Sequence, residues 1–302
     1  MKKAIIENKF SWSFSRSKLF AECARKYYYH YYGAWGGGDV QADEINKTLY
    51  RLRNMKNLYM WAGEITHKVI KEILENKKRK TDIFLDEANR RAENLIKSGW
   101  SQSLNKGWLK SPKYALNLFE HYYSRKITQE IIDKKLRKKV YGSLANFYRS
   151  GFLNRLSGVP SENYLTLESL DNFQLDQTTI YVVPDFAVKT EFFYLYDWKT
   201  GLPCDDDVLQ LSAYALYAQA KWGIPLEKIK VVPVYLIQEN ISYAPVDKLD
   251  IKKVKSYIRD SIACMKSLLT DTGPNQACID DFAKTDDLRK CNSCFFQEVC
   301  KQ

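Results

Sequence analysis

The chain has 302 residues, 45% hydrophobic and 14% aromatic, with 47 basic against 36 acidic side chains and a net charge of +11. That composition excludes a disordered or collagen-like chain, leaves room for one large or two modest folded domains, and favours a polyanionic partner over an acidic one. No run of about 18 apolar residues occurs and no apolar core follows the first basic residues, so neither a membrane span nor a signal peptide is expected and a cytoplasmic protein is. Seven cysteines, an odd number, fit metal or cluster ligation better than disulfides.

Residues 11–33 predict a helix, with Ser15 or Ser17 as N-cap, Cys23 inside it and Gly33 ending it. Its tyrosine cluster predicts packing, and Arg16, Arg25 and Lys26 beside it could contact phosphates. The glycine-rich 34–39 lacks the lysine and helix of a P-loop, so no nucleotide site is read there. Residues 58–79 predict a second helix on which Met60, Gly63, His67, Ile70 and Leu74 form one inward stripe. A histidine there is either a hydrogen-bonded core residue or the imidazole of an oxygen-rich metal site.

From 81 to 157 helical periodicity dominates. The basic runs 77–80 and 134–139 read as solvated faces or as a nucleic-acid track, with Trp100, Trp108, Tyr122, Tyr123 and Tyr148 as stacking platforms. At Tyr164 the period changes to two. Residues 164–170 predict a strand carrying Glu168, and 180–201 a β-hairpin turning at Lys189-Thr190-Glu191. Asp197 and Lys199, two apart, leave one face of the second strand. That turn sets Val188 opposite Phe192 and places Asp185 on the same face, diagonal to Asp197.

A helix follows at 208–223, its start at 205–207 acidic enough to suit the helix dipole. Gln210, Tyr214 and Tyr217 share one edge of it. Residues 230–237 predict a buried strand and 249–270 an amphipathic helix before a Gly-Pro turn at 273–274. The fold class expected is α/β, an αβββαβ core with a large helical insertion. The divisions are an N-terminal helical part at 1–80, the insertion at 81–163, the core at 164–245 and a C-terminal lobe at 246–302.

Asp185, Asp197 and Lys199 on apolar strands form either a structural ion pair or a site for Mg²⁺ or Mn²⁺, whose hard oxygen ligands they supply. In the second case the lysine orients or stabilises attacking water at phosphorus. The end of the chain carries Cys291, Cys294 and Cys300 in C-x₂-C-x₅-C, three ligands of a four-coordinate site. Zinc and an iron–sulfur cluster both accept four thiolates, and Cys23, Cys204, Cys264 or Cys278 could complete the set.

Six stretches, SFSRSKLFAECARKYYYHYY, GEITHKVI, VVPDF, DWKTG, QLSAYALYA and CNSCFFQEVC, resemble the PD-(D/E)XK nuclease superfamily in its RecB-type branch with an iron–sulfur cluster, as in AddB nuclease domains and CRISPR-associated RecB-like exonucleases. The resemblance implies a restriction-endonuclease-like core and a [4Fe–4S] cluster on Cys23, Cys291, Cys294 and Cys300 that staples the chain ends. It implies a metal held by His67, Asp185 and Asp197, water assisted by Lys199, support from Gln210 and Tyr214, and Glu168 as an accessory acid. The implied activity is a DNA nuclease, in particular an exonuclease on single strands or DNA ends, with a helicase or other DNA-processing protein as partner. The alternative is a catalytically silent module that binds DNA or protein. Where the family has a glycine three residues before the first aspartate, this chain has Val182.

Overall fold

The computed structural model describes residues 7–246 and 249–301; residues 1–6, on which the missing signal core is partly read, lie outside them, as do 247–248 and 302. A two-residue strand β1 (Ser11–Trp12) leads into α1 (Phe14–Glu22), capped by Ser13, whose Oγ accepts the Arg16 N–H. The cap therefore lies upstream of both serines expected. Cys23 is not inside a helix: its extended backbone (φ −167°) interrupts the run, and its Sγ accepts the Lys26 N–H to cap α2 (Ala24–Tyr28). A π-turn over Tyr29–Gly33 completes the segment.

After α3 (Glu44–Arg53) comes α4 (Leu58–Lys78), which buries Leu58, Trp61, Ile65, Val69 and Ile73. Met60, expected on the inward stripe, is exposed. Next is α5 (Leu85–Leu104). The helical periodicity expected through 81–157 is broken before α6 (Phe119–Tyr122), where Asn117 and Phe119 bond their backbones to Lys56 instead. Then α7 (Gln129–Ile132) runs through a π-turn into α8 (Lys138–Arg149), followed by α9 (Phe152–Arg155).

Among the described residues, seven strands form two mixed sheets. β2 (Tyr164–Leu167), β5 (Phe186–Lys189), β6 (Phe193–Lys199) and β7 (Ile229–Tyr235) lie in the order β2-β5-β6-β7, with only β6 and β7 parallel. Between β6 and β7 runs α10 (Asp206–Trp222), so α4, β2, β5, β6, α10 and β7 realise the αβββαβ order. The second sheet, β1-β4-β3, holds a hairpin of β3 (Asp171–Leu175) and β4 (Thr178–Val182) inserted after β2.

That hairpin corrects the reading of 180–188 as one strand. The chain changes sheet at Val183-Pro184, where proline removes a ladder donor. Its two-residue turn, Asp176-Gln177, has both φ angles positive (47° and 64°), the twist a tight hairpin requires, without the glycine that usually announces it. The β5–β6 turn is Thr190-Glu191-Phe192, since Lys189 pairs with Phe193 and Val188 with Tyr194. The register is displaced by two residues and its parity kept.

The four-stranded sheet separates two cores. One face packs against α4, α5 and α8 through Phe147, Phe152, Phe186 and Trp198; the other faces α10 and α11 (Ile251–Lys266) through Leu195, Val231 and Ile258. Two short helices, α12 (Leu288–Asn292) and α13 (Gln297–Cys300), end the described chain. They dock on the N-terminal helices, with Phe296 against Tyr29 and Arg25 donating to Phe282 O.

The position of α4 depends on Gly99 of α5. A Cβ there would come within 2.6 Å of Trp61 Cζ2 and 3.1 Å of Leu116 Cδ2. Overpacking costs about 1–3 kcal/mol, against about 1 kcal/mol gained in helix propensity. Gly99→Ala should therefore lose up to about 2 kcal/mol, read as a lower denaturation midpoint at constant m-value.

Candidate active site

Carboxylates gather at one end of the four-stranded sheet. Extending the Phe186–Tyr196 pairing by one residue sets Asp185 opposite Asp197, and Asp185 Oδ2 accepts the Trp198 N–H at 2.6 Å. The predicted diagonal is thus a direct pairing. On β6 the side chains alternate. Tyr194, Tyr196 and Trp198 stack with centroids 5.8 Å apart, while Asp197 and Lys199 leave the opposite face.

Lys199 Nζ lies 2.5 Å from Asp197 Oδ2 and 3.2 Å from Asp207 Oδ1, and donates to Gln210 Oε1 at 2.7 Å. Gln210 Nε2 donates to the Tyr214 hydroxyl, which reaches Val183 O at 3.0 Å and Asp197 Oδ1 at 3.4 Å. Asp207, Gln210 and Tyr214 recur at i, i+3 and i+7 on α10, one face of a helix. Tyr217 departs from that edge and donates to Asp171 instead.

Asp207 corrects the reading of residues 205–207 as simple helix capping. It is buried, accepts the Cys204 N–H and the Tyr235 hydroxyl through Oδ2, and faces Lys199 through Oδ1. Its spacing from Gln210 was the signal available in the sequence. Asp206 pairs at 3.1 Å with Lys18 on the wall of the same cavity, whose volume is about 650 Å³.

From α4 comes His67. It lies at the border of the buried stripe and faces carboxylates, with Nδ1 3.2 Å from Asp185 Oδ1 and 3.5 Å from Glu168 Oε1. Glu168 follows β2 rather than lying within it, in the left-handed region (φ 42°), an arrangement that costs about 1–2 kcal/mol for a residue with a Cβ. Its N–H donates to Asp185 O at 3.0 Å. One ligand atom each from His67, Glu168 and Asp185 falls within 4.8 Å of the others. Glu168 Oε1 is buried without a hydrogen-bond donor. A strained acid with an orphaned oxygen beside a second carboxylate and an imidazole fits a hard divalent cation.

The charges are strongly coupled. Burial and the charge of Asp185 raise the Asp197 carboxyl above its usual range, against Lys199. Burial pulls Lys199 down, but Asp197 and Asp207 outweigh it, and its ammonium is held above its ordinary value. His67 is likewise raised, burial being overcome by Asp185 and Glu168. Without an ion the acids therefore favour the protonated forms of Lys199 and His67, and a dication seated among them would take the place of the His67 proton.

Other residues singled out in the sequence fall elsewhere. Arg16 is buried, donates to the Tyr27 hydroxyl and Ser11 Oγ, and lies over the Tyr31 ring, so packing accounts for it. Arg25 is bonded to Phe282 O, and Lys26 to Glu22. Trp108 is buried, and the Tyr122, Tyr123 and Tyr148 hydroxyls are tied to Glu298, Phe295 O and Ile83 O. Trp100 meets His121 edge-on. These rings are structural.

Cys23, Cys291, Cys294 and Cys300 line one cavity of about 230 Å³ together with Lys26, Lys284 and Lys290. Cys204, Cys264 and Cys278 are exposed and line no part of it. Burial pushes the Cys294 thiol up to about 11.

Among the described residues, no helix is long and apolar enough to cross a membrane. The family model of the PD-(D/E)XK nuclease superfamily matches residues 11–301. No curated protein matches the chain significantly.

Proposed function

The chain belongs to the PD-(D/E)XK nuclease superfamily, and we propose that it is a Mg²⁺- or Mn²⁺-dependent deoxyribonuclease of the RecB-type branch, acting as an exonuclease on single-stranded DNA or DNA ends in the cytoplasm. The observation that carries the reading is the convergence of His67, Glu168 and Asp185 beside the Asp197–Lys199 pair.

His67, Asp185 and Asp197 would hold the ion, with Glu168 as a further ligand. A divalent cation seated there supplies Lewis-acid stabilisation of charge growing on the phosphate and lowers the pKa of water. Lys199, kept protonated by Asp197 and Asp207, acts as a donor and not as a base. Its ammonium orients the attacking water or neutralises a non-bridging oxygen as the new P–O bond forms and a bridging P–O bond breaks. Gln210 and Tyr214 fix the rotamers of Lys199 and Asp197, so these groups need little rearrangement in the transition state.

A [4Fe–4S] cluster on Cys23, Cys291, Cys294 and Cys300 is the second part of the proposal, with zinc the alternative occupant. Four thiols lining one cavity with Lys26, Lys284, Lys290 and Lys301 suit an anionic cluster, and four ligands would saturate it, making its role structural. Any unwinding would come from a partner.

Incubation of end-labelled single-stranded DNA with Mn²⁺, Mg²⁺ or EDTA tests the activity. Cleavage is expected with either ion and none with EDTA, and a closed circular strand should resist an exonuclease. A wild-type protein that binds the strand yet leaves it intact with both ions would establish a silent binding module instead.

A further inference from the structure

The solvent face of α4 leads directly to the metal-binding acids. Tyr59, Gly63 and His67 follow one another at i, i+4 and i+8, one helical row. Tyr59 is 51% exposed. Lys135 and Lys139, from the π-turn and α8, place their ammonium groups 5.3 and 5.4 Å from its centroid. A Cβ on Gly63 would come within 3.1 Å of Thr200 Oγ1, and Thr200 lines the active-site cavity, so the row and that cavity adjoin.

We propose that this row is the track of a single-stranded polynucleotide, with one base stacked on Tyr59 and its flanking phosphates met by Lys135 and Lys139. The inference rests on the nuclease reading of the His67 site and specifies what the site is fed. Eight residues of helix separate Tyr59 from His67, about 12 Å, so both lie within reach of one short stretch of strand. Base stacking on an aromatic ring with adjacent cations needs an unpaired base, and the sequence-tolerant contact suits a processing enzyme. On the other side of α4 a second cavity of about 430 Å³ is lined by Arg53, Lys56, Lys68 and Lys113, with Glu64 paired to Lys56. Both sides are basic, and the row through Tyr59 is the one that ends at His67.

Binding of labelled oligonucleotides of about ten nucleotides to the full chain in EDTA tests the track with cleavage switched off. The oligonucleotides are single-stranded DNA, single-stranded RNA and blunt duplex DNA. Tyr59→Ala should weaken binding of at least one single strand about ten-fold, and Tyr59→Phe should restore it. The Lys135→Ala/Lys139→Ala double variant should reduce the slope of log K against log salt by about 1.4, two phosphates at about 0.7 each. Whichever strand shows the loss identifies the sugar recognised, and either supports the track. Unchanged affinity in folded Tyr59→Ala, or duplex bound as tightly as single strands, would overturn it. A wild type that cleaves nothing but shows these losses would remove the nuclease reading and leave the track standing.

Discussion

Lys199→Ala is expected to slow metal-dependent cleavage of end-labelled single-stranded DNA by about 10²–10³-fold, the usual cost of removing one preorganised donor from developing charge. The ammonium is held by Asp197, Asp207 and Gln210 at 2.5–3.2 Å, so its position is set before substrate arrives. The same substitution leaves buried Asp197 without its cation, which costs about 3–5 kcal/mol when nothing replaces it. Lys199→Ala should therefore melt well below the wild type in EDTA and recover much of the difference in Mn²⁺, since a dication can take over the compensation. Asp207→Asn keeps an acceptor for the Cys204 N–H and removes one anionic partner of Lys199, so a smaller loss, about ten-fold, is expected. Single-turnover rates and thermal midpoints of the three proteins with and without ion decide the matter. A folded Lys199→Ala that cleaves at the wild-type rate would remove the lysine from the chemistry.

Loss of any one thiol from the 230 Å³ cavity should have the larger effect on stability. The helices α12 and α13 have five and four residues, too few to persist alone. Their contacts with the N-terminal helices and α6 include Phe296 against Tyr29, Phe295 against Phe119, the Tyr122 and Tyr123 hydroxyls, and Lys290 to Glu22 O. Cluster or metal binding by four thiolates supplies folding free energy outright, on the order of 10 kcal/mol for structural sites. Cys294→Ala or Cys300→Ala should thus yield a colourless protein without stoichiometric iron and sulfide, with fast hydrogen exchange over 284–301. Cys264→Ala, at an exposed position outside the cavity, should keep the colour. A wild type that binds zinc alone when purified without oxygen would replace the cluster by zinc at the same ligands. Retention of metal and of protection in Cys294→Ala would exclude the cavity as a metal centre.

Much of the architecture is written locally. The periods of α4, α10 and β7, the strand at 164 and a turn around Thr190 follow from side-chain patterning, because burial of one face repeats every 3.6 or two residues. Asp185 and Asp197 kept a common face despite a register error of two residues, since a sheet face is preserved by any even shift. The β3–β4 hairpin escaped because Asp176-Gln177 carries no glycine and the apolar run 180–188 continues across the sheet change; Pro184 was its one mark.

Contacts between distant elements were decided only by the tertiary structure. Glu168 meets His67 across about a hundred residues of sequence through a left-handed backbone turn that no residue type announces. Asp207 reaches Lys199 only because α10 crosses back over β6, and Arg16 is withdrawn from solvent only because Tyr27 and Tyr31 close over it. Composition and spacing name the groups able to do chemistry, since charge and donor type belong to single residues. Which of them share a site depends on burial and long-range packing, which the chain acquires only when its helices and sheets assemble.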